Sequence, residues 1–103
     1  MRTHKYNATR CEREGISFPS KLERATYDKL VLLQKAQEIS FFLRQPRFDL
    51  PGGAKYTADF QVFHLDGSIE FWDCKGLMTE AASLRIRMTE ALYPVKIKIV
   101  RKV

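Results

Sequence analysis

Apolar positions recur at helical spacing in two stretches of this chain and as runs or alternation suited to strands in the others. Across residues 20–37, Thr26/Tyr27, Leu30 and Leu33 form a helical stripe that Leu22, Val31 and Leu32 widen. Ser20 followed by Glu23 has the form of a capping box, so a helix is expected there after the lead-in Ile16-Ser17-Phe18-Pro19. Residues 39–50, with Phe41, Phe42, Leu43 and Phe48, read as a first strand. Pro46 cannot donate to a ladder, which places that strand at an edge or gives it a bulge, and Pro51-Gly52-Gly53 ends it. Residues 56–64 and 68–75 flank Leu65-Asp66-Gly67, a turn signal, and predict an antiparallel hairpin closed by Gly76. Residues 79–93 predict a second helix with Ala81, Leu84, Met88 and Leu92 along one side, stopped by Pro94. Val95, Ile97 and Ile99 then alternate with Lys96 and Lys98 in a last strand.

The resulting order is α-β-β-β-α-β. A right-handed crossover through the second helix sets the last strand parallel to the strand of residues 68–75. The fold class expected is therefore α/β, a four-stranded mixed sheet flanked by helices. Residues 1–15 lack apolar periodicity and read as a basic N-terminal arm, leaving residues 16–103 as a single domain. A chain of 103 residues supports one core, and its 45% hydrophobic content is enough to fold it. No apolar run approaches the roughly 20 residues of a membrane span. The start, Met1-Arg2-Thr3-His4-Lys5, leads into polar residues, so no signal peptide is expected. Cys11 and Cys74 give neither a disulfide framework nor a zinc spacing, which fits a reduced, intracellular setting.

Charge adds a partner. Eighteen Lys and Arg against 12 Asp and Glu leave a net +6, which points to a polyanion such as nucleic acid, or else to a merely soluble basic protein. Position favours the first. Arg85, Arg87, Lys96, Lys98, Arg101 and Lys102 face a single acid, Glu90, over residues 84–103. Arg2, His4, Lys5, Arg10 and Arg13 make a second basic segment. Lys5, Arg10, Arg13, Arg85 and Arg87 are the candidate phosphate contacts, although Arg85 and Arg87 also suit a solvated helix face.

The candidate chemistry lies at the ends of the hairpin strands. Period-2 alternation puts Asp73 and Lys75 on one face, and pairing across the turn can bring Asp59 beside them. Two carboxylates and a lysine on a largely apolar hairpin are costly to desolvate unless they pair or hold a metal. Carboxylates hold Mg²⁺ through hard oxygen ligands and leave positions for water, with Mn²⁺ as the alternative ion. In that arrangement Asp59 and Asp73 ligate the metal and the backbone carbonyl of Cys74 can add a ligand. Lys75 positions or deprotonates the attacking water. The competing reading is a surface ion pair between Asp73 and Lys75, worth about 0–1 kcal/mol. That reading loses ground because the rest of the strand, Ile69, Phe71, Trp72 and Cys74, looks buried on both faces. Glu23 is equally suited to a capping box, worth about 0.5–2 kcal/mol. His64 reads as a surface residue outside the cluster, and Trp72 as core.

Glu23, Asp59 and Asp73-Cys74-Lys75, in that order on an α-β-β-β-α-β frame, resemble the PD-(D/E)xK, or restriction-endonuclease-like, nuclease superfamily. Ala58 stands where a proline often precedes the first Asp; that proline carries no chemistry. Lys5-Tyr6-Asn7-Ala8, Gly15-Ile16, Phe18, Ser20, Glu23-x-Ala25, Gln45-Pro46 and Lys75-Gly76 resemble a family of small, poorly characterised phage and prophage proteins. Phe18-x-Ser20-x-x-Glu23, Tyr56-Thr57-x-Asp59-Phe60, Asp73-x-Lys75-Gly76-Leu77, Tyr93-Pro94 and Ile97-x-Ile99-Val100 are similar to the phage endonuclease I type of Holliday-junction resolvase. The resemblance runs from about residue 16 to 100. It implies a catalytic set of Glu23, Asp59, Asp73 and Lys75, with Glu23 reaching the metal directly or through water.

The function this implies is a Mg²⁺-dependent DNA endonuclease acting on branched DNA in the cytoplasm of a bacterial host, if phage-encoded. Resolution needs two coordinated cuts, so a twofold homodimer follows. A nuclease for nicked, flap or single-stranded DNA is the alternative. A nucleic-acid-binding module with a vestigial site is a third reading, weakened by the completeness of the cluster.

Overall fold

The computed structural model describes the backbone of residues 11–13 and all of residues 15–103. Among these residues, eight strands and two α-helices run in the order β1 (Cys11–Arg13), β2 (Ile16–Phe18), α1 (Lys21–Lys35), β3 (Ile39–Arg44), β4 (Arg47–Asp49), β5 (Lys55–Thr57), β6 (Phe60–His64), β7 (Ile69–Cys74), α2 (Glu80–Leu92) and β8 (Ile97–Val100). Strands β3, β6, β7 and β8 form the expected four-stranded sheet in the order β3-β6-β7-β8. The first three are antiparallel, and β8 lies parallel to β7 across the α2 crossover. Among the described residues no helix is long and apolar enough to cross a membrane.

Each helix covers one face. Leu30 of α1 packs with Ile39, Phe60, Val62 and Trp72, and Tyr27, Leu33 and Phe42 close that core. A bulge between Ile39 and Phe41 shifts the parity of β3, which lets Ile39 and Phe42 point to the same side. On the opposite face Ile86 of α2 packs with Phe48, Leu50, Tyr56, Ala58 and Ile97, with Phe71 and Ile99 at the margin.

Three expectations are corrected. Residues 39–50 are not one strand. Gln45 turns the chain with a positive φ of 58°, Pro46 follows, and β4 leaves the sheet to pair with β5 in a separate two-stranded unit. The hairpin strands are shorter than expected, because Tyr56 belongs to β5 and only Phe60 onward enters the main sheet. The buried side of α2 is Ile86 and Thr89, while Leu84 and Leu92 stay about half exposed. The second sheet is the cause: α2 packs against β5 as well as the main sheet, and this rotates the helix. The predicted N-terminal arm also yields structure at its end, since β1 pairs antiparallel with β2. Lys5 and Arg10 lie outside the described residues, as does the side chain of Arg13.

Candidate active site

Two strand ends bring the acidic residues together. Phe60 pairs with Trp72, so Asp59 and Asp73 follow one step beyond on a common face, where β6 and β7 diverge. The Asp59 amide donates to the Trp72 carbonyl (3.0 Å) and its carbonyl accepts from Gln45 N–H (3.0 Å). Ala58 N–H donates to the Pro46 carbonyl (3.0 Å), so the same turn that ejects β4 clamps Asp59. The Cys74 amide donates to Asp59 Oδ2 at 2.7 Å. Lys75 follows β7 directly, its N–H donating to the Val100 carbonyl (3.0 Å), and its Nζ lies 3.5 Å from Asp73 Oδ1.

Glu23 arrives from α1. Ser20 caps that helix by accepting from Glu23 N–H at 3.1 Å, which is half of the predicted capping box. The Glu23 side chain points into the protein instead, 3% exposed, with Oε2 accepting from Arg44 Nη2 at 3.4 Å. Glu23 thus divides its groups: the backbone completes the cap and the carboxyl joins the cluster.

Two further residues belong to the site. Tyr56, buried and delivered by β5, donates its hydroxyl to Asp73 Oδ2. Burial and the Asp73 carboxylate hold that hydroxyl protonated, far above an ordinary tyrosine. Arg44, the last residue of β3, rests its guanidinium 4.6 Å above the Phe18 ring and leaves a buried Nε without a protein partner. Arg44 pairs with Phe60 in register, next to Asp59. The strand pattern puts Arg44 on an apolar run but cannot supply its neighbour. Tyr56 stands three residues before Asp59 in the chain, yet it reaches the site from another sheet.

The electrostatics of the cluster follow from crowding. Burial, with Asp73 and Glu23 alongside, pushes Asp59 up to about 8, opposed by the hydrogen bond from the Cys74 amide. Burial also raises Glu23 above the ordinary carboxylate range, opposed by Arg44. Three carboxylates face two cations, Arg44 and Lys75. Among the described residues no three His, Cys, Asp or Glu side chains are already gathered as a ligand set. Each carboxylate instead rests on a protein donor: Tyr56 and Lys75 for Asp73, the Cys74 amide for Asp59, Arg44 for Glu23. The donor chemistry nevertheless fits a hard divalent ion, with oxygen ligands in excess of positive charge and protons held against their ordinary tendency to leave.

Other candidates lie elsewhere. His64 bonds Glu70 at 2.8 Å near the hairpin tip. The Cys74 thiol faces α1, 3.4 Å from Thr26 Oγ1, and burial pushes it up to about 12, so it stays an unreactive thiol. Trp72 is core, with Lys98 Nζ 4.5 Å above its ring. Arg85 and Arg87 are exposed on α2.

The fold and cluster define an α/β domain with a buried acid–lysine centre. A family model described as "Protein of unknown function (DUF1064)" matches residues 3–103, and the chain belongs to that family. No curated protein matches it.

Proposed function

We propose that this protein is a divalent-metal-dependent DNA endonuclease that hydrolyses phosphodiester bonds. The observation that carries the reading is the convergence of Glu23, Asp59 and Asp73 with Lys75, where burial raises Asp59 to about 8 and also raises Glu23. Asp59 and Asp73 would hold Mg²⁺, or Mn²⁺, with the Cys74 carbonyl, and with Glu23 directly or through water. Bound there, the ion supplies an activated water and neutralises charge on the phosphate. Tyr56 fixes the rotamer of Asp73 from below, and Lys75 sets its ammonium beside the other Asp73 oxygen, where it can orient the attacking water. Arg44 holds Glu23 and brings positive charge to the cluster. The net +6 of the chain suits a polyanionic substrate.

Branched DNA is the preferred substrate in this reading, and the cytoplasm of a bacterial host the setting. Purified protein incubated with a four-way junction, matching linear duplex and single strand, each with Mg²⁺ or EDTA, tests it. Mg²⁺-dependent cleavage of the junction in preference to the duplex is expected. Absence of cleavage of all three DNAs with Mg²⁺ and with Mn²⁺ overturns the enzyme.

Junction cutting also calls for two sites. Phe41, Leu43 and Ile69 leave large apolar side chains 41–51% exposed, and Phe41 stacks on Phe63 at 4.2 Å on the part of the sheet that α2 does not reach. A twofold homodimer through this region of β3 would cover them. Light scattering at micromolar concentration should return twice the chain mass. A monomeric mass with and without DNA leaves the hydrolytic chemistry and removes the junction assignment in favour of a nicking or flap-cutting enzyme.

Arg85 and Arg87 together should account for up to about 2 units in the slope of log affinity against log salt. Fluorescence anisotropy of labelled DNA with Arg85→Ala/Arg87→Ala measures this, and an unchanged slope makes these arginines ordinary surface residues.

A further inference from the structure

Beyond the acid cluster, α1 and the end of β8 enclose a recess of about 210 Å³. Its wall is apolar, including Trp72 and Val100, and its rim carries Lys29, Lys98, Arg101 and Lys102. All four cations are exposed, and no acidic residue lines the recess. No side chain of the acid cluster lines it, but two of its residues touch the neighbours or backbone of that cluster. Thr26, one helical turn after Glu23, lines it while meeting the Cys74 thiol, and the Val100 carbonyl accepts the Lys75 amide. An apolar wall rimmed by four exposed cations, of which Lys98 also lies over Trp72 and near Glu70, is the chemistry of a single-strand site, where a base lies on the wall and its flanking phosphates on the rim. The volume is below that of a drug-sized ligand pocket and suits one ring system. A base-paired duplex keeps its base faces stacked inside and offers the wall nothing.

We infer that this recess binds an unpaired nucleotide next to the scissile phosphate, so that the substrate carries a single-stranded or unstacked position there. The inference rests on nucleic acid being the substrate and not on metal chemistry. Trp72, the one tryptophan of the chain, lines the recess and reports on it.

The test uses the full chain in EDTA, with intrinsic emission read beside anisotropy of labelled DNA. A short oligothymidylate should change Trp72 emission in step with binding, whereas blunt duplex and inorganic tripolyphosphate should leave it unaltered. Arg101→Ala/Lys102→Ala, on exposed positions, should weaken oligothymidylate binding about tenfold. Binding seen by anisotropy with unchanged emission overturns the inference, and so does an equal response to duplex. A tripolyphosphate response equal to that of the oligonucleotide reduces the recess to an anion site and also overturns it. Cleavage assays with Mg²⁺ run in parallel separate the two readings. An emission response without cleavage leaves the recess standing and removes the nuclease; cleavage without an emission response does the reverse.

Discussion

Asp73→Asn should abolish DNA cleavage, by about 10³-fold or more, while the protein still melts cooperatively near the wild-type temperature. The asparagine is chosen because Asp73 is 1% exposed and accepts the Tyr56 hydroxyl. An amide oxygen keeps that acceptor, whereas alanine strands a buried hydroxyl at a cost of about 1–3 kcal/mol. What the substitution removes is one negative oxygen from the cluster. Lys75→Ala should abolish cleavage to a similar degree and lower the melting temperature as well, since it takes the ammonium away from the buried Asp73 side chain. Cleavage rates beside thermal melts decide both. Wild-type turnover in either variant removes that residue from the mechanism. Loss of turnover together with loss of folding in Asp73→Asn assigns the residue to the core.

The second large effect is in stability against pH. Asp59 rises from 3.8 to about 8 on folding, so the folded protein binds this proton more tightly than the unfolded chain. The stabilisation it confers is complete below pH 3.8 and is lost as pH rises through about 8. Metal-free protein should therefore melt at progressively lower temperature between about pH 5 and pH 9, and Asp59→Asn should flatten that decline. At about pH 9 the variant should be more stable than wild type by about 1–3 kcal/mol, because no charge has to be buried. If Asp59 holds Mg²⁺ as proposed, the ion competes with the proton, so it should stabilise wild type more at about pH 8.5 than at about pH 6 and leave Asp59→Asn nearly indifferent. Above about pH 8 the same variant should keep or tighten its hold on DNA in EDTA, because wild type there carries a negative charge in the cluster that the asparagine lacks. Melting curves that run parallel for wild type and variant across this range mean that Asp59 ionises freely and that burial does not set its behaviour.

How far these residues can be foreseen differs from one to the next. Asp73 and Lys75 are placed by period-2 alternation along one strand, and the structure keeps them on one face at 3.5 Å. Asp59 joins them because the turn at Leu65-Asp66-Gly67 sets the register, and register carries a strand's partner with it. Glu23 can be read equally as a cap or as a site residue. The structure resolves this by giving the backbone to Ser20 and the side chain to the cluster. Tyr56 and Arg44 are illegible along the chain. Their partners lie 17 and 21 residues away and are met only after the chain turns at Gln45 and β4 leaves to pair with β5.

The order of the two helices and of the four strands in the mixed sheet, and the placing of Asp73 beside Lys75, follow from the sequence alone. Each rests on local periodicity, turn chemistry or the handedness of a crossover, which operate within a few residues or one connection. Tertiary structure decided the rest: the split of residues 39–50 between two sheets, the rotation of α2 toward Ile86 and Thr89, and the raised Asp59. These depend on what packs against what. A pattern along the chain names a buried face but not its neighbour, and only the neighbour sets how much water a carboxylate loses and which hydroxyl or guanidinium replaces it.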